Sequence, residues 1–297
     1  MTDVVLNVDG LETGFGASQI LFGVDLTVRQ GEIAGVLGLN GAGKSVMMKA
    51  IAGLIPVWKG TVTLGDRDIT ALAPEDRVGL GIGNVPQGRQ VFPDLSVEEN
   101  LRVGAYKLRR RNKARYPEVL ATIFERFPKL YERRNQLAGT MSGGEQAALA
   151  VARALINEPS VMLVDEPSAG LAPLIVHDVF ETLRAVAETG VTMVLVEQNV
   201  SAALNLVDTV TLLQTGAVAW SGPVKELDRS MLATQLGIGR LLGTPSKKKT
   251  RTSTRSTPSQ GAKRVPVQKK KAAAKKKAAP VKKKAVAKKA PARKKAT

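Results

Sequence analysis

The chain has 297 residues, with 44 Lys and Arg against 26 Asp and Glu, a formal net charge of +18, a single histidine and no cysteine. The lack of cysteine excludes a disulfide framework, a thiolate metal site, an iron–sulfur cluster and a cysteine nucleophile. The single imidazole, His177, excludes multi-histidine metal centres and would have to serve any Ser/His/Asp triad. A metal used by this chain is therefore a hard ion held by oxygen, which points to Mg²⁺.

The charge is segregated. From Ser246 to Thr297 there are 21 Lys and Arg and no acid, which leaves 23 basic and 26 acidic residues in the body, a net of −3. The first residues, MTDVVLNVDG, lack the basic start and apolar run of a secretory signal. No stretch approaches the roughly 18 apolar residues of a membrane span. The expectation is a soluble, cytoplasmic chain.

In chain order, short β-branched runs predict strands at Val4–Val8, Val24–Val28, Ile33–Leu37, Thr61–Leu64, Val161–Asp165, Thr192–Val196 and Thr209–Leu213. Helical periodicity falls between several of them, at Lys44–Ala52, Glu145–Ile156 and Leu174–Glu188. Apolar runs alternating with helices predict an α/β fold with a mostly parallel, buried core sheet. The opening strands, interrupted by Gly14, Gly16 and Gly31, read as an antiparallel flank. Residues from about 93 to 158 lack strong strand signals and predict an inserted helical subdomain. The expected division is a domain at 1–243 and a Lys/Ala/Pro-rich tail at 244–297. From Ser246 onward there is no Leu, Ile, Phe, Trp or Tyr. Such a segment cannot bury enough apolar area to offset chain entropy of about 1–2 kcal/mol per residue, so disorder is expected there.

Three motifs carry chemistry. Gly38, Leu39, Asn40, Gly41, Ala42, Gly43, Lys44 and Ser45 follow a predicted strand and open a predicted helix, matching G-x-x-x-x-G-K-[ST] in its required context. Glycines let backbone N–H groups turn toward phosphates, the helix N-terminus adds positive charge, Lys44 reaches the β- and γ-phosphates, and Ser45 ligates Mg²⁺. The strand Val161–Asp165 ends in two acids. Strand carboxyl ends are where ligands gather in α/β sheets, so Asp165 is suited to hold Mg²⁺ through water and Glu166 to orient or deprotonate the attacking water. Ser142, Gly143 and Gly144, in MSGGE, lie at the start of an amphipathic helix, with Ser142 23 residues before Asp165. Alone, that turn reads as a helix cap.

With these motifs in this order, residues 1–243 resemble the nucleotide-binding subunit of an ATP-binding cassette (ABC) transporter. The resemblance implies a P-loop ATPase using ATP and Mg²⁺. It also implies that Ser142, Gly143 and Gly144 form a second anion cradle, closing on the γ-phosphate held by an opposite subunit. Gln87 matches the glutamine that senses Mg²⁺ and the γ-phosphate and couples to the membrane subunit. Phe15 matches the aromatic that stacks on adenine. Two positions depart from the family pattern: Gln198, in LVEQN, stands where a switch histidine is usual, and Ala172 replaces a loop aspartate. Glutamine can hydrogen-bond a phosphate but cannot titrate, which leaves Glu166 as the main catalytic carboxylate.

The wording VPQGRQVFPDLSVEENL, MSGGEQ, DEPSAGLAP and LVEQNV is similar to the second ATPase subunit of branched-chain amino-acid importers, the LivF type, and to the urea-importer subunit. That resemblance implies permease subunits, a solute-binding protein and a sister ATPase (a heterodimer, with a homodimer as the alternative) at the inner face of the membrane. A rival class is a soluble ABC ATPase acting on nucleic acid, kept open by the tail. The tail's lysines read as a solubilising extension, an anchor to anionic lipid at about 1 kcal/mol per lysine, or a sequence-independent DNA contact.

Overall fold

Val4 to Phe15 turns Leu6 and Val8 and, beyond an irregularity in the pairing, Leu11 and Thr13 inward, and this period of two on either side of the shift makes it a half-buried strand. It opens the computed structural model, which describes residues 3–228. All of these belong to one unit, Met1–Lys247. The tail expected at 244–297, and the disorder expected of it, lie outside the described residues.

Two sheets organise these residues. The first has the order β2-β1-β4-β5, from β1 (Val4–Phe15), β2 (Ser18–Arg29), β4 (Lys59–Leu64) and β5 (Arg67–Asp68), with every pairing antiparallel. The antiparallel flank is as expected, but its strands are longer than predicted. β1 runs through Gly14, whose α-carbon lies so close to the Ser18 carbonyl that a β-carbon would meet it, and the turn comes only at Gly16–Ala17. Gly16 has φ +58 and Gly31, just after β2, has φ +75, so these two mark turns whereas Gly14 does not.

The second sheet has the order β10-β9-β3-β8-β7-β6. β3 (Ile33–Leu37), β6 (Ile82–Val85), β7 (Val161–Asp165), β8 (Thr192–Glu197) and β9 (Thr209–Gln214) pair in parallel, and β10 (Ala217–Pro223) adds an antiparallel edge. Every residue of β3, β7 and β8 is buried, the pattern of a sheet covered on both faces. β5, β6 and β10 were not predicted.

Helix α1 (Lys44–Ile51) packs with both sheets in one apolar cluster that includes Leu6, Met47, Ile51 and Leu163. The opposite face of the parallel sheet forms a second cluster with the helical residues. α2 (Pro74–Leu80) precedes β6. Between β6 and β7 come α3 (Val97–Gly104), α4 (Tyr106–Arg111), α5 (Tyr116–Arg126), α6 (Pro128–Glu132) and α7 (Gly143–Leu155), and α8 (Pro173–Ala187) and α9 (Val200–Ala203) follow later. α3 starts on a capping box, Ser96 with Glu99, so S-x-x-E fixes where the helical stretch begins.

Candidate active site

The parallel register brings the motifs together. β8 lies between β3 and β7, with Leu37 opposite Glu197 and Val196 opposite Asp165. The loop Gly38–Ser45, the segment Glu197–Asn199 and the pair Asp165–Glu166 therefore leave the sheet side by side at its carboxyl edge.

The loop is shaped by close approach as well as by backbone freedom. A β-carbon on Gly38 would lie 2.4 Å from the Leu213 carbonyl oxygen. Gly43 has φ +103, and a β-carbon there would meet Leu21 Cδ2 at 2.6 Å. Helix α1 begins with no side-chain cap and no acid in its first turn, unlike α3 and α7, so its positive end is left to an anion. Lys44 is 4% exposed and donates from Nζ to the carbonyls of Gly38 (3.0 Å) and Leu39 (3.1 Å). Burial pushes its pKa down, while the charges of Glu166, Asp165 and Glu197 push it back up. Leu39, Asn40 and Gly41 form the exposed tip.

The acidic pair faces this loop. Ser45 Oγ donates to Asp165 Oδ1 at 3.1 Å, joining loop and strand end. Asp165 is buried, which raises its pKa. The Ser45 hydrogen bond lowers it, the charge of Glu166 raises it further, and Lys49 and Lys44 oppose the rise. Glu166 has φ +45, rare for a residue with a β-carbon, and is held there by its N–H bond to the Val196 carbonyl at 2.9 Å. Both of its carboxylate oxygens are engaged. Gln87 Nε2 donates to Oε2 at 2.7 Å, Gln198 Nε2 donates to Oε1 at 2.9 Å, and Lys44 Nζ stands 3.8 Å from Oε1. A cavity of about 540 Å³ opens here, lined by Gln87, Glu166, Ser168, Glu197 and Gln198 among others.

The donor set fits the expected metal. Ser45, Asp165 and the side-chain carbonyl oxygen of Gln87 are hard oxygen donors, few in number, which suits an ion that keeps water and phosphate in its shell. Among the described residues no group of three or more His, Cys, Asp or Glu could form an all-protein cage.

Other predicted positions lie apart from this cluster. Ser142 is the N-cap of α7 in a capping box with Glu145: its N–H donates to Glu145 Oε2 at 2.8 Å, and its hydroxyl accepts from the Glu145 N–H at 3.4 Å. A β-carbon on Gly143 would crowd Arg89 and Leu171, and one on Gly144 would crowd Ile175. Among the described residues Ser142 shares no hydrogen bond with Lys44, Ser45, Asp165 or Glu166. Phe15 is 48% exposed rather than packed in a core, with Lys49 Nζ 5.9 Å from its ring centre. Ala172 takes the N-cap of α8 with no side-chain bond, a place where an aspartate could have capped the helix. His177 lies on the exposed surface, 4.0 Å from Asp178.

Glu197 was missed, although a signal for it was present. VLVE ends a buried strand in an acid just as MLVD does, and the two strands are neighbours.

Residues 21–169 match the family described as ABC transporter. The high-affinity branched-chain amino acid transport ATP-binding protein BraG of Pseudomonas aeruginosa is 40% identical over 214 residues, covering 72% of this chain and 91% of that protein. The chain belongs to the ABC transporter ATP-binding family. It is thus a transport ATPase subunit that binds and hydrolyses ATP, as the phosphate loop, acidic strand and serine–glycine turn led us to expect. The probable branched-chain amino acid transport ATP-binding protein LivF of Archaeoglobus fulgidus is 39% identical over 218 residues, covering 73% of this chain and 91% of that one. Among solved structures, an ATP-binding cassette of an ABC transporter in its ADP conformation superposes with a TM-score of 0.71 at 27% identity, covering 80% of this chain and all of that one. Like other ATPase subunits of transporters, it works with transmembrane permease subunits. Among the described residues no helix is long and apolar enough to cross a membrane.

Proposed function

We propose that this chain is the ATP-hydrolysing subunit of an importer for branched-chain amino acids, bound to permease subunits at the inner face of the membrane. It pairs with a second ATPase subunit and is served indirectly by a solute-binding protein. The choice of solute rests on the two relatives at about 40% identity, both bearing that transport function in their names over nine-tenths of their length.

The chemistry rests on one observation: Lys44, Gln87 and Gln198 converge on the Glu166 carboxylate, next to the Ser45–Asp165 pair. Amides of residues 38–45 and the Lys44 ammonium balance the charge of ATP phosphates. Ser45, Asp165 and Gln87 are the residues that would hold Mg²⁺. When bound, the ion draws charge from the β- and γ-phosphate oxygens. Glu166 accepts a hydrogen bond from the attacking water and orients it, and Gln198 hydrogen-bonds the γ-phosphate without exchanging a proton. The Phe15 ring stacks on adenine, worth about 1–3 kcal/mol. The turn Ser142–Gly144 serves the nucleotide held by the opposite subunit, which is why it stands apart from Lys44.

Reconstitution with the neighbouring permease, sister ATPase and binding-protein gene products tests this function. Leucine, isoleucine or valine on the binding protein should raise both ATP turnover and solute uptake. Stimulation by urea alone, or by no solute, would contradict it.

A further inference from the structure

Glu197 is a carboxylate with no role in the chemistry described above, and it is 1% exposed. Among the described residues it makes no ion pair. Instead it accepts three backbone hydrogen bonds: Oε1 from the Ser168 N–H at 3.0 Å, and Oε2 from the N–H groups of Gln198 at 2.9 Å and Asn199 at 3.1 Å. Burying a charge is costly; Lys44 is close enough to feel this one but not to pair with it, and charge-assisted bonds on both oxygens offset the cost. An apolar residue would fill the same space without that cost. The three bonds join two different loops. Ser168 lies in the loop that leaves Glu166, and Gln198 is the residue whose side chain grips Glu166 Oε1.

These bonds close a ring. From Glu166 it passes to the Gln198 amide, to the Gln198 N–H, across the Glu197 carboxylate to the Ser168 N–H, and back along the chain to Glu166. A second tie, from the Glu166 N–H to the Val196 carbonyl at 2.9 Å, runs beside it. The positive φ of Glu166 needs surroundings that hold it, and this ring supplies them. Only a carboxylate can accept on both sides, since an amide would turn its own N–H₂ toward one set of N–H groups.

We propose that Glu197 is a positioning residue: it locks the loop after Glu166 to the loop carrying Gln198, so that both side chains are presented to the reacting phosphate as one rigid unit. The inference rests on Glu166 being the carboxylate that orients water.

The test is steady-state ATP turnover of the full chain with its natural partners. E197Q preserves size and removes one acceptor. We expect kcat to fall about 10- to 100-fold, the scale of a misplaced catalytic group, with KM for ATP within about twofold of the parent. Combined with Q198A, it should lose little beyond the larger single loss, because both act through one unit. Parental kcat in E197Q, a rise in KM that accounts for the loss, or fully multiplicative losses with Q198A would each overturn the proposal. Should E197Q fail to fold, E197D stands in: lower kcat at unchanged KM supports the role, and parental kcat or a KM effect refutes it. E166Q is the control. Parental turnover there removes the assignment of Glu166 itself, whereas an inactive E166Q beside a fully active E197Q removes only the role of Glu197.

Discussion

Asp165 carries its charge at 6% exposure, where Ser45, Lys49 and Lys44 only partly offset the loss of water and the repulsion of Glu166, so its pKa lies above the ordinary value of 3.8. The folded protein therefore holds this proton to higher pH than the unfolded chain does. The resulting penalty to folding is absent where both forms are protonated, below about 3.8, and is complete above the raised folded value. D165N keeps the shape and an acceptor for the Ser45 hydroxyl but removes the charge. It is expected to raise the melting temperature in the absence of nucleotide at neutral pH by about 2–4 °C, equivalent to about 1 kcal/mol in a domain of this size. The gain should shrink as the pH falls toward 3.8. Calorimetry across pH checks both parts, and a variant less stable than the parent at neutral pH would contradict the reading. Asp165 and Glu166 were legible in the sequence because a buried strand ending in acids is a local pattern. The left-handed turn at Glu166 was not, because the Val196 carbonyl that holds it comes from another strand.

At the scale of elements, helix α1 depends on a residue that no motif marks. Arg77 of α2, 2% exposed, donates from Nη1 to the carbonyls of Ala50 and Ile51, both at 2.8 Å, from Nε to Leu72 at 3.0 Å, and from Nη2 to Thr70 at 2.7 Å. It thereby caps the C-terminus of the helix that follows the Gly38–Ser45 loop, and its charge suits the negative end of the helix. Gly53, with φ +77, has no β-carbon to collide with the guanidinium 2.8 Å away. R77L would remove a donor from four carbonyls, of which those of Ala50 and Ile51 lie in buried residues and only that of Ala50 keeps a second donor, the Gly53 N–H. At about 1–3 kcal/mol for each buried group left short, a loss of at least about 2 kcal/mol is expected in urea unfolding. A change under about 1 kcal/mol would show that solvent reaches those carbonyls. Strands β3, β7 and β8 were legible because each is built on a short run of apolar, largely aliphatic residues. β6, with the sequence IGNV, and β10, AVAWSGP, were not, since glycine and polar residues mask their pattern and their pairing partners define them. β1 and β2 proved longer than predicted because the hairpin runs through Gly14, a glycine that allows close approach rather than marking a break.

For the molecule as a whole, the site is assembled by sheet order. Loop, acids and Gln198 lie far apart in sequence, and β8 between β3 and β7 sets them side by side. Family membership was legible because three phosphate-related motifs occur in a fixed order, each decided by a few adjacent residues. Glu197 and Arg77 were not, because each is tied to backbone that lies far off in the sequence, the Ser168 N–H for Glu197 and the Ala50 and Ile51 carbonyls for Arg77. The strongly basic segment from Ser246 is legible in the sequence only as charge. The account stands most directly on Glu166, and the decisive measurement is labelled-ATP binding and turnover by E166Q with Mg²⁺ and the natural partners. It predicts nucleotide affinity within about twofold of the parent and turnover lower by at least about 100-fold. Hydrolysis at the parental rate would contradict it.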